Sequence, residues 1–264
     1  MKKIILLSLL SAFASYANAG VVSVFGQQLS GFSKDSINNF YNGLAGTSST
    51  IATGTLDTVN LTGVNLLWAT QPAAVYTSAE LNTMSTFLSG GGRIAFMGEH
   101  GSFAPDENIR INTALSFLGS TISINNVTLD GGFRSASVGD GQILSNPLTV
   151  GVNTYEYAAF APLTISGTAQ ALMLGEESYL GNPSIMMAYQ NIGAGSIFLI
   201  TDQNVWDNSP SWPGGFNNSR MFENLLMANT GAPPVSGVPV PAALPLMASA
   251  LAMFGLGRRR NKLG

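Results

Sequence analysis

The sequence predicts an α/β domain with a mainly parallel sheet, set between an export signal and a membrane-directed tail. Three observations carry the fold class. Val64 to Ala69 (VNLLWA) is a run apolar but for Asn65, the pattern of a strand buried on both faces. Thr77 to Leu88 then repeats apolar residues at helical spacing, and Gly90-Gly91-Gly92 ends that helix. Arg93 to Met97 returns as a second buried run. Strand, helix and strand with short connections is the order of a βαβ crossover.

The remaining elements follow in chain order. Val21 to Phe25 is a β-branched run that reads as a strand. Ser33 to Leu44 places Ile37, Phe40, Tyr41 and Leu44 on one helical face, with Ser33 positioned to cap it. In the helix at 77–88, Thr77 or Ser78 is the cap, Glu80 lies near the capping-box position, and Leu81, Met84, Phe87 and Leu88 form the inner face. Asn108 to Leu118 reads as a further helix ending at Gly119. From Thr121 to Gly181, glycine and β-formers dominate, with short strands expected over Ile122 to Leu129, Leu163 to Ser166 and Ala169 to Leu174. Ser184 to Gln190 and Ser196 to Thr201 flank the turn at 191–195 as a hairpin. Asn217 to Met227 supplies the last helix, with Met221, Phe222 and Leu225 facing in. Ala232 to Gly237 is a linker rich in Pro and Gly.

Only 9% of the 264 residues are charged, against roughly 25% in ordinary soluble domains. Lys2 and Lys3 sit at the N-terminus and Arg258, Arg259, Arg260 and Lys262 in the tail. The middle therefore holds five cations against fourteen acids, a net of −9. That balance excludes nucleic acid as a partner, because phosphate neutralisation needs clustered Lys and Arg. The absence of cysteine excludes disulfides, thiolate nucleophiles and thiolate metal sites.

Residues 1–19 read as a secretory signal: two lysines, an apolar run from Ile4 to Leu10, and Ala17-Asn18-Ala19 as the cleavage site. At the other end, Ala242 to Gly257 is sixteen residues without a charge, followed by Arg258-Arg259-Arg260. A spanning helix needs about 17–25 apolar residues, so the segment is short for one. The basic cluster would stay on the cytoplasmic side, and Pro239 and Pro241 stop any helix arriving from upstream. With Val238-Pro239-Val240-Pro241 ahead of it, this tail resembles the PEP-CTERM sorting signals. The family's usual middle residue is Glu, where this chain has Val240. The resemblance implies recognition by an exosortase, a membrane transpeptidase-like enzyme, transient anchoring, and delivery to the cell surface or an exopolysaccharide matrix. A tail anchor that is never processed is the other reading.

The body, 20–231, resembles the class I glutamine amidotransferase-like (flavodoxin-like) fold. The matching pieces are Gly91-Gly92, Gly98-Glu99, Asn112, Leu118-Gly119, Gly193, Gly195, Asp202 and Asn224. In that resemblance His100 falls where the catalytic members carry a nucleophilic cysteine. With no cysteine and one histidine, the chain cannot build the nucleophile–base–orienter set that such catalysis needs. Glu99, His100 and Asp202 at the strand ends are the alternative catalytic set. A glycosidase-like hydrolase would use paired carboxylates of this kind, whereas loop acids and helix caps have the same residue types. Loop 202–216 (DQNVWDNSPSWPGGF) places Trp206, Trp212 and Phe216 among Asn204 and Asp207, an aromatic and amide mixture suited to sugar rings; tryptophans covering the sheet edge are the plainer reading. Asp202 to Asn208 lacks calcium-loop spacing, so neither metal nor cofactor is expected. The expected plan is signal 1–19, α/β domain 20–231, linker 232–237 and sorting tail 238–264. Its expected role is structural or carbohydrate-binding.

Overall fold

The computed structural model describes residues 20–29, 33–207 and 215–228. The signal residues 1–19, Trp212, the linker and the tail at 238–264 lie outside the described residues. No helix among the described residues is long and apolar enough to cross a membrane.

The parallel half of the sheet is built from β1 (Gly20–Phe25), β2 (Thr47–Ile51), β3 (Leu66–Ala69), β4 (Arg93–Met97) and β11 (Gly195–Ile200), in the order β2-β1-β3-β4-β11. All four pairings in that half are parallel. Every residue of β3 and β11 is buried, which explains why their sequences carry no alternation. The sheet continues through β10 (Asn182–Ile192), antiparallel to β11, with β9 (Gln170–Tyr179) pairing antiparallel to β10. Beyond β10 lie β8 (Leu163–Ile165), joined by the bridge Ile185–Leu163, and β5 (Ile122–Ile124). A separate ribbon pairs β6 (Arg134–Ser137) with β7 (Thr154–Tyr157).

Among the described residues, four helices complete the layers: α1 (Ser33–Gly43), α2 (Ser78–Ser89), α3 (Pro105–Phe117) and α4 (Asn218–Met227). On one face Ile37, Phe40 and Tyr41 of α1 join Met221, Phe222 and Leu225 of α4 over Val22, Val24, Trp68 and Phe198. On the other, Leu81, Met84, Phe87 and Leu88 of α2 join Ile111, Ala114 and Leu115 of α3 over Leu67, Phe96 and Leu199. The result is a sheet covered on both sides, the arrangement a mostly parallel sheet requires.

Local signals fixed several boundaries. Thr77 caps α2 through a full capping box, its side chain accepting from the Glu80 N–H and Glu80 accepting from the Thr77 N–H. Ser33 does not cap α1; it opens the helix as a buried residue whose hydroxyl has no hydrogen-bond partner among the described residues. α3 begins three residues earlier than expected, with Pro105 at its first position, where a missing N–H costs nothing. The strand expected over 122–129 stops at Ile124, because the next side chains turn to other partners: Asn125 donates to the Pro162 carbonyl and Asn126 to that of Pro105. β2, β6 and β7 have no counterpart among the expected strands. β2 (TSSTI) is an edge strand with only Ser49 buried, so it carries no apolar pattern to read.

Trp206 and Trp68 are the largest fully buried side chains of the first core, and Trp206 sits at its centre of aromatic contacts. Its ring stacks on Phe222 at 4.1 Å and meets Trp68 and Phe40 edge-on at 5.6 and 5.7 Å. Trp206→Ala is expected to cost about 3–5 kcal/mol, the range for emptying a buried aromatic site. Urea denaturation monitored by circular dichroism would measure it. A cost under about 1 kcal/mol would mean that the ring is not a core residue.

Candidate functional site

Ligands of open α/β sheets bind beyond the carboxyl ends of the parallel strands, at the point where the strand order reverses. Here that point lies between β1 and β3. Gly26 leaves β1 at φ 117°, and a Cβ there would sit 2.5 Å from the Thr70 carbonyl oxygen, so only glycine permits the approach. The gap is then stitched. The Gln27 N–H donates to the Gln71 carbonyl at 3.1 Å, and the Thr70 hydroxyl hydrogen-bonds to the carbonyls of Phe25 and Gln27. Among the described residues the switch point is bridged by hydrogen bonds between the two loops.

The neighbouring strand ends bring together two of the residues singled out from sequence. Met97 and Ile200 are register partners, so Glu99 and Asp202 stand at the same step past β4 and β11. Both are buried, each about 1% exposed. Glu99 accepts the His100 N–H at 2.9 Å and further hydrogen bonds from the backbone and side chain of Gln203. Asp202 accepts the N–H groups of Ala158 at 2.5 Å, Asn204 at 2.7 Å, and Val205. Gln71 donates to the Gly98 carbonyl and to the Gln203 side chain. Two buried polar atoms, Gln71 Oε1 and Tyr155 Oη, have no hydrogen-bond partner among the described residues.

Burial pushes the Glu99 carboxyl well above the usual range, and the Asp202 charge beside it adds to the rise. Burial likewise raises Asp202, to about 7, with the donated N–H groups of Ala158, Asn204 and Val205 opposing the shift. Two carboxyls this close titrate as a pair. Their hydrogen bonds tie loops together: Asp202 alone joins β11 to the end of β7 and to the 3-10 turn Asn204–Trp206.

His100 stands apart from this pair. Its Nδ1 lies 3.0 Å from the Ser102 hydroxyl, which lies 2.9 Å from that of Thr128, and the ring packs against Phe103. Burial lowers its pKa below the usual imidazole value and so favours the neutral ring. The backbone N–H groups of Gly101, Ser102 and Phe103 are already used, by Val127, Thr128 and His100 itself, and so are not free to stabilise an oxyanion. The structure therefore separates the three candidates: Glu99 with Asp202 in the interior, His100 on the half-exposed turn.

The aromatic loop is corrected in part. Trp206 presents no face to a ligand because it fills the core described above. Phe216 is partly buried against the same core, Asn204 is half-buried, and Asp207 is exposed. Trp212 lies outside the described residues.

An accessible polar feature of the molecule arises where no motif pointed. A groove of about 600 Å³, lined by Ser135, Asp140, Gln142, Glu176, Ser178 and Pro183 among others, runs between the β6–β7 ribbon and the β9–β10 hairpin. Arg134 pairs with Glu176, one of the lining residues, at 3.5 Å. These residues come from three separate stretches of chain, so no sequence spacing announces them.

No protein-family model matches this chain, and no curated protein matches it. Its shape does have relatives. The N-terminal domain of mmIFT52 superposes with a TM-score of 0.56 at 19% identity, covering 76% of this chain and 94% of that one. The cytoplasmic protein STM1381 from Salmonella typhimurium LT2 gives 0.53 at 10%, covering 78% and 98%. A β-galactosidase from Bacillus circulans sp. alkalophilus gives 0.50 at 12%, over 79% of this chain and 30% of that one. Identities this low show a shared fold alone.

The raised carboxyls make stability depend on pH with a definite sign. The folded protein holds protons on the pair at pH values where the unfolded chain, with carboxyls near 4, has released them. That contribution is complete below about pH 4 and is lost as pH rises through about 7. Denaturation at pH 5 and pH 8 is expected to show a loss of the order of 2 kcal/mol, flattened in Glu99→Gln. An equal slope in wild type and variant would show that Glu99 takes no part.

Proposed function

We propose that this chain is an exported protein, sorted through its C-terminal tail by an exosortase, whose α/β domain is a non-catalytic carbohydrate-binding or structural module. The strand order β2-β1-β3-β4-β11 supports a flavodoxin-like body. The relation to the amidotransferase-like group rests on the sequence pieces quoted above; none of the structures named in the comparison is an amidotransferase. Export and sorting rest on Ala17 and Ala19, on Val238, Pro239 and Pro241, and on Arg258, Arg259 and Arg260.

One observation carries the non-catalytic reading. Glu99 and Asp202, the carboxylates at the strand ends, are sealed inside the domain and hydrogen-bonded to backbone N–H groups. Hydrolysis of a glycosidic bond needs two carboxyls that flank the bond and reach it. This pair reaches only the protein. Accessible polar chemistry lies instead in the groove, where hydroxyl, amide and carboxylate groups line the surface, a mixture that suits vicinal hydroxyls of a polysaccharide.

The intact mass of the protein recovered from its native host tests the sorting. A chain beginning at Gly20 and ending near 238–241 is expected; one that keeps Arg258 to Gly264 would overturn tail processing. The mature protein is also expected to bind the host's extracellular polysaccharide in a pull-down. The surface variant Gln142→Ala/Glu176→Gln should weaken that binding about tenfold, the size of losing one or two hydrogen bonds. Undiminished binding by the variant would move the site away from the groove.

A further inference from the structure

Both ends of the described body lie at one end of the sheet. Gly20, the first residue after the expected cleavage site, opens β1, and its N–H donates to the Gly46 carbonyl ahead of β2. A Cβ on Gly20 would lie 2.6 Å from Leu226 Cδ2, in the last turn of α4. Ala228 follows α4 and is held by Arg93, whose Nη2 donates to the Ala228 carbonyl at 3.2 Å and whose Nη1 donates to that of Leu225. The same guanidinium donates through Nε to the Ser196 hydroxyl at 3.0 Å. Arg93 and Ser196 are register partners at the start of β4 and β11. The chain thus enters and leaves the domain at the amino ends of the parallel strands.

The loops of that end also carry no acid, and the charges near it are Arg93 and the Arg220–Glu223 pair. The loops that feed β2, β3, β4 and β11, at 44–46, 59–65, 90–92 and 193–194, contain no ionisable side chain. The acids collect at the other end: Asp35 in the first turn of α1, Asp106 and Glu107 in that of α3, and Asp207 past β11, with Asp35, Asp106 and Asp207 exposed. The β9–β10 hairpin projects from that far end as well. β10 starts at Asn182, five residues ahead of Met187, the partner of the last residue of β11. At about 3.3 Å per residue the overhang is roughly 15 Å, and Leu180 at its tip is 81% exposed.

We propose that the anchored protein stands with the amino end of its sheet, whose loops carry no acid, against the membrane and displays its acidic end, with the hairpin and the groove beside it, away from the bilayer. This rests on the export-and-tail reading above and goes beyond it by assigning opposite duties to the two ends of the domain. Two independent causes act together. The thirteen residues at 229–241 span at most about 45 Å, and a domain of this size is about 40 Å across. Turning the hairpin tip to the membrane would therefore stretch that segment almost fully along the side of the domain. An anionic leaflet also repels the acidic end, whereas the loops of the amino end offer it no acid to repel.

The chain has no cysteine, so single labelling sites are unambiguous. Thr62→Cys places a fluorophore at the exposed amino-end loop and Leu180→Cys places one at the hairpin tip. The chain from Gly20 with its tail intact would be inserted into phosphatidylglycerol-containing vesicles that carry a nitroxide on the lipid headgroup. Quenching at position 62 is expected to exceed that at 180 by at least about threefold, with the contrast reduced in vesicles of zwitterionic lipid. Equal quenching, or stronger quenching at 180, would overturn the orientation while leaving the anchor intact. A chain that fails to float with the vesicles would overturn the anchor, and the orientation with it.

Discussion

The Asp202 carboxylate is the interaction on which the carboxyl end of this fold depends. It ends β11, holds the last residues of the β6–β7 ribbon through the Ala158 N–H, and starts the 3-10 turn through those of Asn204 and Val205. That turn drives Trp206 into the core, where it stacks on Phe222 and meets Trp68. Without the carboxylate three buried N–H groups would lose their acceptor, and each such loss costs about 1–3 kcal/mol. The group remains buried because the protein supplies donors that water would otherwise supply.

This arrangement puts the position where α/β folds commonly hold ligands to a different use. In open parallel sheets the carboxyl ends are a crevice because adjacent loops diverge. Here Gln27, Thr70 and Gln71 draw the loops after β1 and β3 together, and Glu99 with Asp202 plugs the next interval. Polar groups that could meet a ligand lie outward from this seal, on the ribbon and the long hairpin that the antiparallel half adds to the sheet. The parallel half acts as the scaffold, and the antiparallel half supplies accessible surface.

Arg93 does at the opposite end what Asp202 does at the first. One half-buried guanidinium satisfies two orphan carbonyls at the C-terminus of α4 and ties them to the start of β4 and β11. It also fixes where the chain leaves the domain. A charge that is costly to bury is retained because the helix end offers it carbonyl acceptors and a favourable dipole. Asp202 and Arg93 therefore mark opposite ends of the described domain, one closed over the strand ends and one holding the end of α4.

Much of the parallel half was legible in the sequence, because its strands are buried on both faces and its helices bury one stripe. VNLLWA, RIAFM and the apolar faces of α1, α2 and α4 state their class through periodicity alone, and Thr77 with Glu80 marks a helix start through a local hydrogen-bond pattern. Glu99 and Asp202 were also visible as strand-end acids. What only the tertiary structure decided was their state. Whether a strand-end carboxylate faces solvent or backbone N–H groups depends on Ala158, 44 residues away from Asp202, and no local spacing encodes that distance. The same holds for Trp206, whose surroundings of Asn and Asp suggested a surface, yet whose ring is enclosed by residues of α1, β3 and α4. Local sequence sets period and propensity; burial is a property of what arrives from elsewhere in the chain.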